Sequence, residues 1–161
     1  MMKFTLYSNN KDQNRTTFAT VKDYIIQEVQ KNMKHGQDMA ESLPKMEIID
    51  LDLKKLTRKV STANNAGVKQ LEQDGFDLEY KAKLNKFLER KDCLEQNKIK
   101  TFVLIMIEHC TKAMQDRVKE HPDFKIKIQD DPIELLRAIN VLMHVPVRGR
   151  YPFASLIEAL I

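Results

Sequence analysis

Residues 97–160, NKIKTFVLIMIEHCTKAMQDRVKEHPDFKIKIQDDPIELLRAINVLMHVPVRGRYPFASLIEAL, decide the fold class of this chain. Apolar residues recur in this stretch at spacings of three and four, which is the spacing of one face of an α-helix. The pattern predicts two long helices, a short link between them and a third, shorter helix at the end. No grouping of residues in the stretch is typical of a catalytic site. We therefore expect a protein built from helices.

The first of these helices is predicted over residues 97–119, with Asn97 as its N-cap. Six residues form its apolar face: Ile99, Phe102, Val103, Met106, Cys110 and Ala113. Leu104, Ile105 and Ile107 extend the apolar surface nearly all the way round. Because a helix that is apolar on most sides is usually surrounded by other helices, we expect this one to be central.

The link after this helix begins where a proline follows His121, a position that disfavours helical backbone. Three apolar residues then alternate with lysines, which predicts an extended segment: Phe124, Ile126 and Ile128. The next helix is predicted to start at Pro132, because Asp131 is a good N-cap, proline is favoured in the first turn and Glu134 follows. Four residues form its apolar face: Ile133, Leu136, Ile139 and Met143.

The sequence upstream predicts a polar, flexible tail over residues 1–17, followed by a helix that starts near Thr20. Val21, Ile25 and Val29 recur every four residues on this helix. Further helices are predicted over residues 50–61, 68–74 and 77–91, with Gly75 ending the second of these.

The predicted helices together indicate an all-α bundle of about five to seven helices. We expect one helical domain over residues 18–161, and residues 61–67 are the linker at which it would divide into two subdomains. Because the last apolar helix stops at Ile161 without a cap, we also expect the chain to be truncated at its C-terminus.

The composition is that of a globular protein, with 42% hydrophobic and 31% charged residues and a net charge of +4. Two cysteines provide no disulfide framework, which favours a reducing compartment. The longest apolar run is much too short to cross a bilayer. We therefore expect a cytoplasmic protein that has no membrane partner.

The residues that carry common enzyme chemistry are scattered along the chain. The four glycines are isolated, which argues against phosphate-binding loops. His109 and Cys110 are adjacent, so they point about 100° apart on a helix, and Cys93 belongs to another segment. We therefore expect no metal site, no cofactor, no small-molecule substrate and no enzymatic activity.

Two basic clusters are candidates for RNA binding. One lies on the predicted helix over residues 50–61: Lys54, Lys55, Arg58 and Lys59. The other combines Arg148 and Arg150 with Tyr151, whose ring could stack on a base. A solvated helix face and a surface loop with Tyr151 turned inward are the structural alternatives.

Three segments carry a resemblance to a known family. HCTKAMQDRV at residues 109–118, DPIELLRAI at 131–139 and RYPFASLIEAL at 150–160 resemble, in order and spacing, the Gag-like capsid proteins of copia-type LTR retrotransposons. The similarity is greatest to the divergent branch found in single-celled algae, and it extends over residues 24–160. Relatives commonly carry Trp-Gly-Gln where this chain has Ile107, Glu108 and His109. Neither a zinc knuckle nor a protease triplet is present in this sequence.

The resemblance implies an α-helical, retroviral-capsid-like domain that assembles into particles around the RNA of its element. Its implied partners are other copies of the protein and RNA, and its implied location is cytoplasmic virus-like particles. Leu156, Ile157 and Leu160 are candidates for self-association, as is the apolar run at residues 102–107. The alternative is a small helical module that binds protein or RNA without catalysis.

Overall fold

The computed structural model describes residues 2–52 and 56–145 of the chain. These residues form five α-helices, one π-helical turn and no strand. The elements in chain order are α1 (Lys11–Asn32), α2 (Gly36–Lys45), α3 (Ala66–Glu108), α4 (Lys112–Lys119), the π-helical turn (Phe124–Ile128) and α5 (Pro132–His144). The prediction of an all-α bundle of five to seven helices is confirmed.

Helices α1 and α2 pack against each other, α1 also contacts α5, and α2 also contacts α3. The predicted row Val21, Ile25 and Val29 is buried on α1. A tight turn joins the two helices, with His35 in the left-handed region at φ 52° and Gly36 opening α2. The turn is held on α3 by Asn97, whose side-chain amide donates a hydrogen bond of 2.8 Å to the carbonyl of Lys34.

The start of the chain differs from the predicted tail. Helix α1 begins at Lys11, not near Thr20, and Asn10 caps it by accepting a hydrogen bond from the backbone of Gln13. Phe4 is fully buried, and its backbone N–H donates to the carbonyl of His109 at 2.7 Å. The segment therefore adds an aromatic side chain to the core, which its polar composition did not indicate.

Helix α3 is one continuous helix where the sequence predicted three separate ones. It has no proline and is rich in lysine, glutamate, glutamine and leucine, all good helix formers. Gly75 lies inside it and does not end it, and Asn97 lies inside it and does not cap it. The N-cap is Asn65, whose side chain accepts from the backbone N–H groups of Gly67 and Val68.

The central position predicted for residues 97–119 is wrong. Phe102, Ile105 and Met106 are buried on one side of α3, whereas Val103 and Ile107 are exposed on the other. The helix ends at Glu108, and Thr111 caps the separate helix α4. Since α3 borders the bundle, only one of its faces is covered by the described residues.

The helix predicted over residues 50–61 is absent from the described parts of that range, residues 50–52 and 56–61. A single short helix is marginal in water unless packing supports it. Two residues of its predicted apolar face receive little packing, since Leu56 is half-buried and Val60 is largely exposed.

The extended segment predicted at residues 124–128 is also wrong, because it forms the π-helical turn. Ile128 is buried and Ile126 points into solvent, so the alternating residues do not share a face. The start of α5 is as predicted: the Asp131 side chain accepts from the backbone of Ile133 and Glu134. The predicted apolar face of α5 is buried in the core.

Candidate functional site

The first predicted RNA-binding cluster has a different structure from the one expected. Lys54 and Lys55 lie outside the described residues. Arg58 pairs with Asp77 of α3 at 2.8 Å, which raises the pKa of Arg58 and, together with Gln73, lowers that of Asp77. Lys59 lies with its ammonium 6.0 Å from the centre of the Phe76 ring. Arg58 and Lys59 therefore hold their segment on α3 and do not form a cationic helix face.

The other predicted site residues lie outside the part of the chain that the structure describes. They are the RNA-binding candidates Arg148, Arg150 and Tyr151 and the self-association candidates Leu156, Ile157 and Leu160. The apolar run at residues 102–107 is described, and it is divided between the core and the surface. Its exposed members, Val103 and Ile107, continue a row that begins at Ile99.

The N-terminal half of α3 carries an exposed apolar stripe that the sequence reading did not single out. Its members recur at alternating spacings of three and four: Val68, Leu71, Gly75, Leu78 and Ala82. Leu71 is 74% exposed and Leu78 is 72% exposed. Spacing of this kind brings the residues to one narrow face of a helix, as in the seam of a coiled coil. We call these five residues the α3 stripe.

The opposite face of the same half of α3 is covered by the segment over residues 56–65. Ser61 donates from its backbone to Gln73 at 3.0 Å and from its hydroxyl to Glu72 at 2.7 Å. The side-chain amide of Gln73 donates to the carbonyl of Lys59 and to the carboxylate of Asp77. The segment thus anchors one side of the helix and leaves the α3 stripe open to solvent.

Charge is segregated along this half of α3. Residues 72–79 contain four acidic residues and no basic one, whereas residues 81–91 contain five basic residues and one acidic. Lys83 reaches back to Glu79 at 3.1 Å, which lowers the pKa of that carboxylate. Residues 72–79 thus form an acidic segment of α3, and residues 81–91 form a basic segment directly after it.

A shallow depression of about 440 Å³ lies between α3 and the α1–α2 turn. It is lined by His35, Leu56, Lys83, Lys86, Phe87, Glu89 and Arg90. Arg90 forms an ion pair with Asp38, and Glu89 forms one with Lys34. An aromatic ring among cationic side chains can accept the bases and phosphates of a single strand. Sequence reading missed this site because its residues come from three segments of the chain.

A cluster of two carboxylates and an imidazole joins α1 to the end of α3. Glu28, Glu108 and His109 each offer one ligand atom, and these atoms all lie within 4.8 Å of one another. His109 is fully buried, and neither ring nitrogen has a hydrogen-bond partner among the described residues. Its Nε2 is 3.3 Å from a carboxylate oxygen of Glu28, but the two groups lack the geometry of a hydrogen bond.

The two cysteines differ in their surroundings. Cys110 is buried, and this burial raises the pKa of its thiol to about 12. Cys93 is half-buried on α3. A neutral, buried thiol is a poor nucleophile, so Cys110 behaves as a core residue.

Searches of protein-family models, curated proteins and solved structures find no match to this chain. Over residues 2–52 and 56–145, no helix has both the length and the apolar character that crossing a membrane requires.

Proposed function

We propose that this protein is a structural, Gag-like capsid protein of a copia-type retrotransposon, which assembles with copies of itself into cytoplasmic particles that package the RNA of its element. The family resemblance supports this proposal through the order and spacing of its motifs, and the all-helical architecture agrees with it. The observation that carries it is the α3 stripe, an apolar seam exposed on a helix that is anchored from its other side.

The charge pattern on α3 favours a second copy of the chain as the partner that covers the α3 stripe, with the two α3 helices antiparallel. With a two-fold axis near Tyr80, residues 72–79 of one copy lie opposite residues 81–88 of the other. The acidic segment of each copy then faces the basic segment of its partner. In the same arrangement Leu78 faces Ala82 of the partner subunit. Gly75 and Ala82 are small enough for the two helix backbones to approach closely.

The contact is small, which suits a protein that assembles in many copies. Fully burying one leucine side chain contributes about 1.5–3 kcal/mol, so two leucines per copy provide a weak pairwise contact. Weak contacts suffice in a particle, because each copy is held by several neighbours at once. RNA would add to this by binding many copies along one strand, drawn by the net charge of +4.

The test is the mass of the purified protein by size-exclusion chromatography with light scattering, over a range of concentrations, with and without RNA. We expect growth into large assemblies that RNA enhances. The variant Leu71→Asp/Leu78→Asp should remain a monomer, because it places four carboxylates in the two-fold contact. Since both leucines are exposed, the variant should keep the helical content and melting temperature of the parent.

The matched control is Ile126→Asp on the π-helical turn, where the isoleucine is 89% exposed and lies away from the stripe. This variant should assemble like the parent. A parent protein that stays monomeric at every concentration, with and without RNA, would overturn the proposal. Equal assembly by the parent and the stripe variant would refute the role of the α3 stripe.

A second candidate function, a helical RNA-binding module without catalysis, is favoured by the depression that contains Phe87. It predicts that a monomer binds single-stranded RNA, with an affinity that falls as salt concentration rises. Lys83→Gln and Phe87→Ala should weaken binding in a fluorescence anisotropy titration, whereas Lys112→Gln on α4 should not. RNA binding by a protein that never assembles would favour this function over the capsid.

A further inference from the structure

We propose that Glu28, Glu108 and His109 form a binding site for one divalent transition-metal ion of the zinc type. The proposal does not depend on self-assembly, because all three residues belong to one copy of the chain. The ion would join the C-terminal part of α1 to the end of α3, two elements that are far apart in sequence.

The three ligand atoms converge on one point. One nitrogen and two carboxylate oxygens within 4.8 Å of one another can surround a single ion after small side-chain rotations. Bond lengths to zinc are about 2.0–2.2 Å for imidazole nitrogen and carboxylate oxygen. An imidazole together with carboxylates suits zinc and its neighbours in the first transition row, whereas magnesium and calcium prefer oxygen ligands alone.

The buried imidazole of His109 supports the site independently of the ligand distances. His109 is fully enclosed, yet both of its ring nitrogens lack a hydrogen-bond partner in the described structure. A buried polar group without a partner is costly, and native proteins rarely leave one so. Its Nε2 points toward Glu28, so an ion between them would give this nitrogen a partner.

The backbone around the cluster is held firmly, which a binding site requires. Glu28 precedes the buried Val29 near the C-terminal end of α1. The backbone N–H of His109 donates to Ile105, and its carbonyl accepts from Phe4. Hydrogen bonds and core packing thus fix two of the ligands before an ion arrives.

Charge and access also fit a divalent cation. Two carboxylates provide two negative charges, which balance the charge of the ion when the imidazole is neutral. Glu108 is exposed and Glu28 is half-buried, so an ion can enter from solvent while His109 closes the inner side. Three protein ligands leave a coordination position for water.

The test is isothermal titration of the full-length chain with zinc chloride after chelator treatment and dialysis, with metal content measured by mass spectrometry. We expect one zinc per chain and a rise in melting temperature on binding. Glu28→Gln and Glu108→Gln should each weaken zinc affinity about tenfold or more, at least the loss that follows removal of a second-shell partner. Glu95→Gln, an exposed carboxylate elsewhere on α3, should bind zinc like the parent.

Cobalt substitution identifies the ligands directly. Cobalt bound by nitrogen and oxygen should give weak visible bands without the intense near-ultraviolet absorption of a cobalt–thiolate bond. Circular dichroism of both variants should match the parent, since Glu108 is exposed and glutamine keeps the shape of each side chain. A thiolate band, or equal zinc affinity in the parent and both variants, would overturn the proposal. A parent chain that binds no zinc would also overturn it.

Discussion

The guanidinium of Arg90 on α3 donates two hydrogen bonds to the carboxylate of Asp38 on α2, from Nε to Oδ2 at 2.7 Å and from Nη2 to Oδ1. The Asp38 side chain is only 4% exposed, and it lies in the first turn of α2, where the helix dipole favours negative charge. This pair and the contact of Asn97 with Lys34 join the α1–α2 turn to the middle of α3. They mark the place where α3 meets the bundle, because its buried residues begin only at Leu94.

The variant Arg90→Ala should lower the free energy of unfolding by about 2 kcal/mol, because it leaves a buried carboxylate without its charged partner. The loss should be smaller than for a fully buried pair, because the guanidinium is half exposed to solvent. Urea denaturation measures the loss. Lys112→Ala removes an exposed pair with Asp116 and should cost less than about 0.5 kcal/mol. Equal losses in the two variants would contradict the role of Arg90.

The variant Phe4→Ala should destabilise the fold by about 3–5 kcal/mol, since the ring is fully buried and packs 5.5 Å from the ring of Phe18. Thermal unfolding followed by circular dichroism measures the effect. Met2→Ala, two residues away and half exposed, serves as control and should leave the melting temperature nearly unchanged. An unchanged melting temperature in Phe4→Ala would mean that the start of the chain does not belong to the core.

Alanine substitution at two glycines should have opposite effects on stability. A Cβ atom at Gly36 would lie 2.1 Å from the carbonyl oxygen of Val29, so the backbone must move and the fold should lose about 1–3 kcal/mol. A Cβ at Gly75 meets nothing within 4 Å, and alanine should stabilise α3 by up to about 1 kcal/mol. Chemical denaturation at concentrations below self-association tests both. Similar stabilities of Gly36→Ala and Gly75→Ala would refute the close approach of the Val29 carbonyl to Gly36.

The N-cap of α5 should be worth about 1 kcal/mol. Asp131→Ala removes the acceptor for the backbone N–H groups of Ile133 and Glu134, which lie 3.0 and 3.2 Å from Oδ1. Asp131→Asn keeps an oxygen at that place and should retain most of the stability. Urea denaturation of the parent and the two variants measures the free energy of unfolding. Equal losses in Asp131→Ala and Asp131→Asn would exclude capping as the cause.

The two thiols should differ in reactivity. Burial raises the pKa of the Cys110 thiol to about 12, so this residue stays protonated and inaccessible near neutral pH. Cys93 is half-buried and should react first with a thiol reagent in the native protein, as peptide mass spectrometry can locate. Both should react in denaturant. Labelling of Cys110 at the same rate as Cys93 under native conditions would show that the core around it opens readily.

The sequence determined the fold class and the buried rows of α1 and α5. The rows on α1 and α5 could be read because apolar spacing of three and four has one simple structural solution, and Asp131 before Pro132 is a local signal that needs no distant partner. Local sequence signals gave wrong helix boundaries where contacts between distant residues determine the structure. Asn97 has the character of a cap, yet it lies inside α3, where its side-chain amide donates to the carbonyl of Lys34, which is remote in sequence.

Only the tertiary structure decided which apolar residues stay exposed and which polar residues meet. The α3 stripe could be read as a spacing, but its exposure depends on the segment over residues 56–65 lying on the other side of the helix. Glu28 lies far from Glu108 and His109 in sequence, so no spacing rule joins them. Sequence fixes local preference through backbone and side-chain chemistry, whereas the convergence of distant residues depends on how the helices pack.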